Sequence, residues 1–388
     1  MSAPRFTSTD MLAKLVGFDT TSRNSNLDLI GFVQDYLSAH GVASSLVHDE
    51  TGQKANLWAT IGPDIDGGVV LSGHTDVVPV DGQPWETDPF VLTDKGDGRL
   101  YGRGTCDMKA FSAVALAMLP EFVVAPLKAP VHLALSYDEE VGCIGVHGLI
   151  DHIKAIGVKP RLAVIGEPTM MRVVDAHKSI RSYSVTVTGH EAHSSNVHKG
   201  VSAVMVAAEL IGKIGEIGAT LREAGDSTAR FDPPFSTMIA NTISGGTAQN
   251  ILARDCRFTF EIRGLPQNDL DAAFEAFRAY AMETVLPRIQ AVAPGANIEI
   301  KRRAYSPPLK AEPGSDAEIF VMALAERNAA EAVSYGTEAG IFQEAGIAAI
   351  VCGPGDIAQA HQPNEFLDKA QIPACEAFMR RLIARLSA

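Results

Sequence analysis

Histidines and carboxylates cluster in this chain just after a series of short apolar runs. His74 and Asp76 follow VVLSG; Asp138, Glu139 and Glu140 follow VHLALSY; Glu167 follows LAVIG; His361 follows IVCGPG within AQAHQPNE. A further segment, GRGTCDMK, offers Asp107, with glycines that let the backbone turn closely ahead of a helix. Imidazole combined with several carboxylates suits zinc, cobalt or manganese, whereas calcium and magnesium prefer all-oxygen shells. Three or more carboxylates around two histidines exceed what one catalytic zinc needs, so the pattern points to two metals. Taken singly, a His-x-Asp is usually a loop histidine beside an acid, and a pair such as Glu139 and Glu140 is usually a solvated strand end. Their joint occurrence at successive strand ends singles them out. His40, His48, His132, His147, His152 and His198 lack such company and read as surface or packing residues.

The elements that must position these groups follow from periodicity. Short β-branched or apolar runs at 68–73, 131–137, 161–166 and 347–353 alternate with amphipathic helical stretches, the signature of an α/β sheet buried on both faces. In open α/β sheets ligands bind beyond the carboxyl ends of the strands, so four strands would deliver their side chains to one rim. Apolar spacing from Leu29 to Leu37 predicts a helix stopped by Gly41, and another helix is predicted from about Met108 to Leu119. Between about 181 and 303 the pattern becomes strand (YSVTVTG), helix (Ser202 to Ile217), two strands (STMIANTIS, CRFTFEIR), helix (Asp269 to about Val285) and strand (IEIKRR). That β-α-β-β-α-β order is the ferredoxin-like split βαβ unit. The expected architecture is therefore an α/β catalytic domain over 1–180 and 304–388, with a mixed, largely parallel sheet, and an inserted α+β domain over 181–303.

Composition narrows the function classes. A chain of 388 residues is expected to form two domains, and its net charge of −13 would oppose approach to phosphate backbones or anionic lipid. No apolar stretch is long enough to span a bilayer, and the N-terminal segment has no run of signal-peptide length. Five scattered cysteines without a CxxC pair argue for a reducing cytoplasm and against a cysteine zinc site. Two tempting motifs fail on spacing. GHEAH falls one residue short of HExxH and follows a strand, where a helix would be required. GRGTCD lacks the third glycine of a dinucleotide loop, which leaves a nicotinamide oxidoreductase as the weak reading from another class.

The segments SGHTDVVPVDG, GRGTCDMK, SYDEEVGCIG, IGEPT, AHSS, GGTAQN and AHQPNE, in this order, resemble the dinuclear zinc amidohydrolases and peptidases. That family includes acetylornithine deacetylase, succinyl-diaminopimelate desuccinylase, aminoacylase and related carboxypeptidases. The resemblance covers nearly the whole chain, and YGTEAGIFQEAGI, CGPGDIAQAHQPNEF and DAHK look most like the acetylornithine deacetylase branch. It implies a zinc-peptidase-like catalytic domain in which His74, Asp107 and Glu167 hold one zinc while Asp107, Glu140 and His361 hold the other. Asp107 would bridge, Asp76 would orient His74, and Glu139 would be the general base. Cobalt could replace zinc.

The same resemblance makes the inserted domain a lid and homodimer surface, with His193 reaching the partner subunit's site. It associates Asn250 and Arg263 with substrate oxygens. Lys178 and Tyr335 are further pocket candidates, although Ser179 follows Lys178 where relatives carry glycine. The implied reaction is hydrolysis of the acyl amide of a small N-acyl amino acid by water. Acetylornithine is the first candidate; succinyl-diaminopimelate, other acylated amino acids and dipeptides remain open.

Overall fold

In a computed structural model, residues 3–226 and 229–388 are described. The chain divides into two compact units: Met1–Ala176 with Leu309–Ala332 and Thr337–Ala388, and His177–Pro308 with Val333–Gly336. The inserted unit is a few residues longer at each end than the periodicity suggests. Its strands Ser179–Thr188 and Asn297–Ser306 pair along their whole length, down to Ile180 opposite Ser306, so both belong to it in full.

The larger unit is built on an eight-stranded mixed sheet. Its strands run in the order Ser44–His48, Ala55–Ile61, Val131–Ser136, Val69–His74, Leu162–Pro168, Ala349–Gly353, Val173–His177 and Ala330–Val333. The four strands expected from the apolar runs are consecutive in this order and mutually parallel. All four are buried along their length, which explains why they read as continuous apolar runs rather than alternating ones. The antiparallel strands at 44–48 and 55–61, the strand at 173–177 and the edge strand at 330–333 carried no comparable signal. A small three-stranded sheet of Thr93–Asp94, Arg99–Tyr101 and Phe366–Asp368 was also unforeseen. It brings the segment that follows His361 beside the segment that precedes Asp107.

Helix Leu27–Ala39 ends as expected. Gly41 takes φ +76° and the Val42 N–H reaches back to the Leu37 carbonyl, closing the helix with a left-handed residue. Helix Lys109–Ala117 starts two residues after Asp107 and packs tightly on the sheet. A Cβ on Gly73 would lie 2.7 Å from Ser112 Oγ, and one on Gly166 would lie 2.0 Å from the Phe111 ring. These glycines precede His74 and Glu167, so the close approach they permit sets Asp107 against both strand ends.

The inserted unit is a four-stranded antiparallel sheet in the order Thr237–Gly245, Asp255–Gly264, Ser179–Thr188, Asn297–Ser306, with helix Ala203–Glu223 and the helical run Leu270–Val292. Its second, third, first and fourth strands are thus neighbours, the ferredoxin-like order. Its core is separate, formed by residues such as Val185, Leu210, Phe258, Phe260 and Phe277. Among the described residues, no helix is long and apolar enough to cross a membrane.

Candidate metal centre

His74 closes its strand with the ring fully buried. Its Nδ1 lies 2.9 Å from the Asp76 carbonyl oxygen, which makes Nδ1 the protonated nitrogen and leaves Nε2 as the ligand atom. Nε2 is 3.1 Å from Asp107 Oδ1 and 3.8 Å from Glu167 Oε1. Asp107 turns its other oxygen the opposite way, with Oδ2 3.2 Å from Nε2 of His361. His361 Nε2 is also 2.9 Å from Glu140 Oε2. One carboxylate thus faces two imidazoles, one through each oxygen.

Asp76 does more than hold the ring, and it holds the ring mainly through its backbone. Its carboxylate is 3.6 Å from His74 Nδ1. Meanwhile Oδ1 accepts from the Glu139 N–H at 3.0 Å, and Oδ2 from the Glu140 N–H at 3.2 Å and Ser22 Oγ at 2.7 Å. Asp76 therefore fixes the turn that carries both glutamates.

The charges in this cluster are strongly perturbed. Burial works against a protonated His74, yet Asp107 and Asp76 outweigh it and hold the ring's pKa well above its usual value. Burial alone would push Asp107 up, but His361 and His74 keep its carboxyl well below the ordinary range. Hydrogen bonds to Asp107 and Glu140 push His361 up to about 10. Burial pushes Glu139 up to about 8, and burial with the Asp107 charge pushes Glu140 up to about 7. Glu167 is raised by the same two causes. Carboxylates crowded in a poorly solvated space need cations or protons.

This donor set fits divalent metals. Ligand atoms of His74, Asp107 and Glu140, and likewise of His74, Glu139 and Glu167, lie within 4.8 Å of one another. Nitrogen and carboxylate oxygen together match zinc and similar ions. Glu139 carries a further contact: the Cys143 thiol stands 3.2 Å from its Oε1.

Three acidic or basic residues near the cluster were not singled out by sequence. Glu365 is buried and accepts from the N–H groups of Gly104, Cys106 and Asp107 and from Arg103, itself buried. Glu338 precedes helix Ala339–Glu344, and burial pushes its carboxyl up to about 7. A glutamate in a Gly- or Pro-rich loop reads as solvated, and only the spacing of four between His361 and Glu365 hinted otherwise.

The remaining predicted residues lie in the inserted unit. His193 is exposed; its Nδ1 accepts from the Ser195 N–H at 3.2 Å, which places the proton of a neutral ring on Nε2. Asn250 is exposed on the adjoining loop, and its carbonyl accepts from the Ser194 N–H. Arg263 Nε pairs with Glu261 at 3.1 Å. Tyr335 is half-buried. Lys178 is buried, and its ammonium donates to the carbonyl oxygens of Pro233 at 2.7 Å and Phe235 at 2.9 Å, a structural task that needs no substrate.

Fold and cluster together define a metallohydrolase, and the chain belongs to Peptidase family M20/M25/M40, which it matches over residues 70–385. Acetylornithine deacetylase of Myxococcus xanthus is 36% identical over 380 residues, covering 96% of each chain. Acetylornithine deacetylase of Pasteurella multocida (strain Pm70) is 34% identical over 365 residues, covering 93% of this chain and 91% of that one. An M20 family metallo-carboxypeptidase from Sulfolobus solfataricus shares the fold with a TM-score of 0.79 at 16% identity, over 98% of this chain and 99% of its own. Aminopeptidase PepT from Bacillus cereus does so with a TM-score of 0.73 at 19% identity, over 98% of each chain.

Proposed function

We propose that this chain hydrolyses the acyl amide of N2-acetyl-L-ornithine to L-ornithine and acetate, as a cytoplasmic step of arginine biosynthesis. Two zinc ions would serve each site, with cobalt able to substitute. The observation that carries the two-metal reading is Asp107, whose separate oxygens face His74 and His361. The substrate rests on the relatives, which bear the name acetylornithine deacetylase along nearly their whole length.

In this reading His74, Asp107 and Glu167 hold one ion and Asp107, Glu140 and His361 the other. Ions bound there supply Lewis-acid activation of water and of the amide carbonyl. Glu139 accepts a proton from the attacking water as the new C–O bond forms, and returns it to the amine nitrogen as the C–N bond breaks. His193 offers Nε2–H to the developing oxyanion. Arg263 would pair with the substrate α-carboxylate, with Asn250 and Tyr335 beside it in the pocket.

His193 is further proposed to act on the partner subunit's site in a homodimer built on the inserted domain. An exposed edge supports this: strand Thr237–Gly245 ends the four-stranded sheet and leaves Ile239 and Ile243 more than half exposed. The test of substrate is a panel of acetylornithine, succinyl-diaminopimelate, other acylated amino acids and dipeptides, run on zinc- and cobalt-loaded enzyme. Acetylornithine should give the highest kcat/KM; preference for the succinylated substrate would reassign the chain to desuccinylation.

A further inference from the structure

The two halves of the metal cluster are supported differently. His74 and Glu167 stand on parallel strands of the central sheet, whereas His361 stands on a loop with half of its side chain exposed. That loop also holds two non-glycine residues in the left-handed region, His361 at φ +63° and Asn364 at φ +57°. Each such residue costs on the order of 1–2 kcal/mol, so surrounding contacts must impose the conformation.

Those contacts converge on one buried pair. Arg103 Nη1 donates to Glu365 Oε2 at 2.7 Å, and Nη2 donates to Gln83 Oε1 at 2.6 Å. The Gln83 amide then donates to the His361 carbonyl oxygen at 3.0 Å. Trp85 donates its indole N–H to the same Gln83 oxygen and stacks under the guanidinium. The Glu86 N–H caps Asn364 Oδ1 at 2.8 Å. From its other side, Glu365 Oε1 takes the N–H groups of Cys106 at 2.8 Å and Asp107 at 3.1 Å. One guanidinium thus ties the loop of His361 to the loop of Asp107.

We infer that Arg103, Glu365 and Gln83 form a positioning clamp for the metal position made by His361, Asp107 and Glu140, and that the position made by His74, Asp107 and Glu167 depends on it far less. None of the three would touch substrate or metal. The asymmetry follows from the supports: the sheet orients His74 and Glu167 without the clamp, whereas His361 and the outer oxygen of Asp107 depend on it. Arg103 suits the role because its planar fork reaches Glu365 and Gln83 in fixed directions through two separate nitrogens, a geometry that a lysine ammonium does not reproduce.

This inference rests on the two-metal reading above, and the experiment separates them. Metal-free wild type, Gln83→Ala, Arg103→Lys and Glu365→Gln are titrated with Zn²⁺ by calorimetry. Crystals of each, grown with one equivalent of Co²⁺, then show by anomalous diffraction which position is filled. Wild type should bind two ions. Each variant should hold the His74 and Glu167 position within about threefold and weaken the His361 and Glu140 position by about 10- to 100-fold, the usual cost of removing a support behind a ligand. Gln83 is half-exposed, so its alanine variant folds even if the buried pair proves hard to alter. Equal weakening of both positions, or none, in a wild type that binds two ions would overturn the clamp alone. A wild type that binds fewer than two would overturn the two-metal reading and the clamp with it.

Discussion

In the larger unit the candidate metal-binding groups are braced from behind, whereas in the inserted unit His193 and Asn250 stand exposed on loops. Asp107 has its N–H held by Glu365, and the turn of Glu139 and Glu140 has two N–H groups held by Asp76. His193, by contrast, is exposed, and its ring meets Ser195, two residues along. The difference matches the tasks proposed. Metal ligands lose affinity when their geometry loosens, so they need supports that persist without substrate. A donor that acts on a transition state can wait on a mobile surface and be brought in on closure.

The contrast can be broken most directly at Glu139. Glu139→Gln should keep both metals and lower turnover by about 10²- to 10⁴-fold, the range for general acid-base catalysis. Metal analysis beside steady-state kinetics checks this. Because Glu139 also groups with His74 and Glu167, loss of an ion in this variant would make it a ligand instead. His193→Ala should cost somewhat less, about 10²- to 10³-fold in turnover with metal content unchanged. Mixing the two inactive chains tests the dimer as well: activity should return, because a mixed dimer would contain one site with both residues intact. No recovery in proven mixed dimers would place His193 in its own chain's site.

How much of this was legible beforehand follows the same division. The four parallel strands were readable because burial on both faces makes them continuous apolar runs, and each leads to a candidate ligand. Edge strands such as Ser44–His48 are only half-buried and leave no such trace. Glu365 and Arg103 escaped because nothing in a sequence distinguishes a buried ion pair from a solvated one. Lys178 is a related case: its acceptors Pro233 and Phe235 lie far along the chain, where no local pattern shows them.

A smaller effect concerns acid stability, to which both units contribute a buried histidine. Burial lowers His132 to about 4 in the larger unit, where it stacks on Trp58 and bonds Thr60. Burial lowers His177 to about 4 as well, at the start of the inserted unit. The unfolded imidazole titrates near about 6.5. Below that pH the unfolded chain binds protons that the folded chain refuses, so stability is complete above it and falls as pH drops toward 4. Each residue should cost about 3 kcal/mol at the low end. His132→Gln and His177→Gln should each flatten the slope of urea-unfolding stability between pH 4 and 7, on metal-free protein. An unchanged slope in both would show that these rings protonate freely in the fold.

The smallest expected effect decides what kind of residue Lys178 is. Its stem is buried and its ammonium serves two carbonyl groups of the segment that carries Asp232, Pro233 and Phe235, with burial lowering its pKa. Lys178→Met would keep the stem and strand both carbonyl oxygens, a loss of about 1–3 kcal/mol in stability. Because that loss falls inside the inserted unit, zinc stoichiometry should not move, and kcat and KM should stay within about threefold where the variant is folded. A rise in KM of tenfold or more at unchanged thermal stability would instead put the ammonium on the substrate. Lys178 would then join His193 among groups that act only when substrate arrives, and the inserted unit would contribute binding as well as transition-state stabilisation.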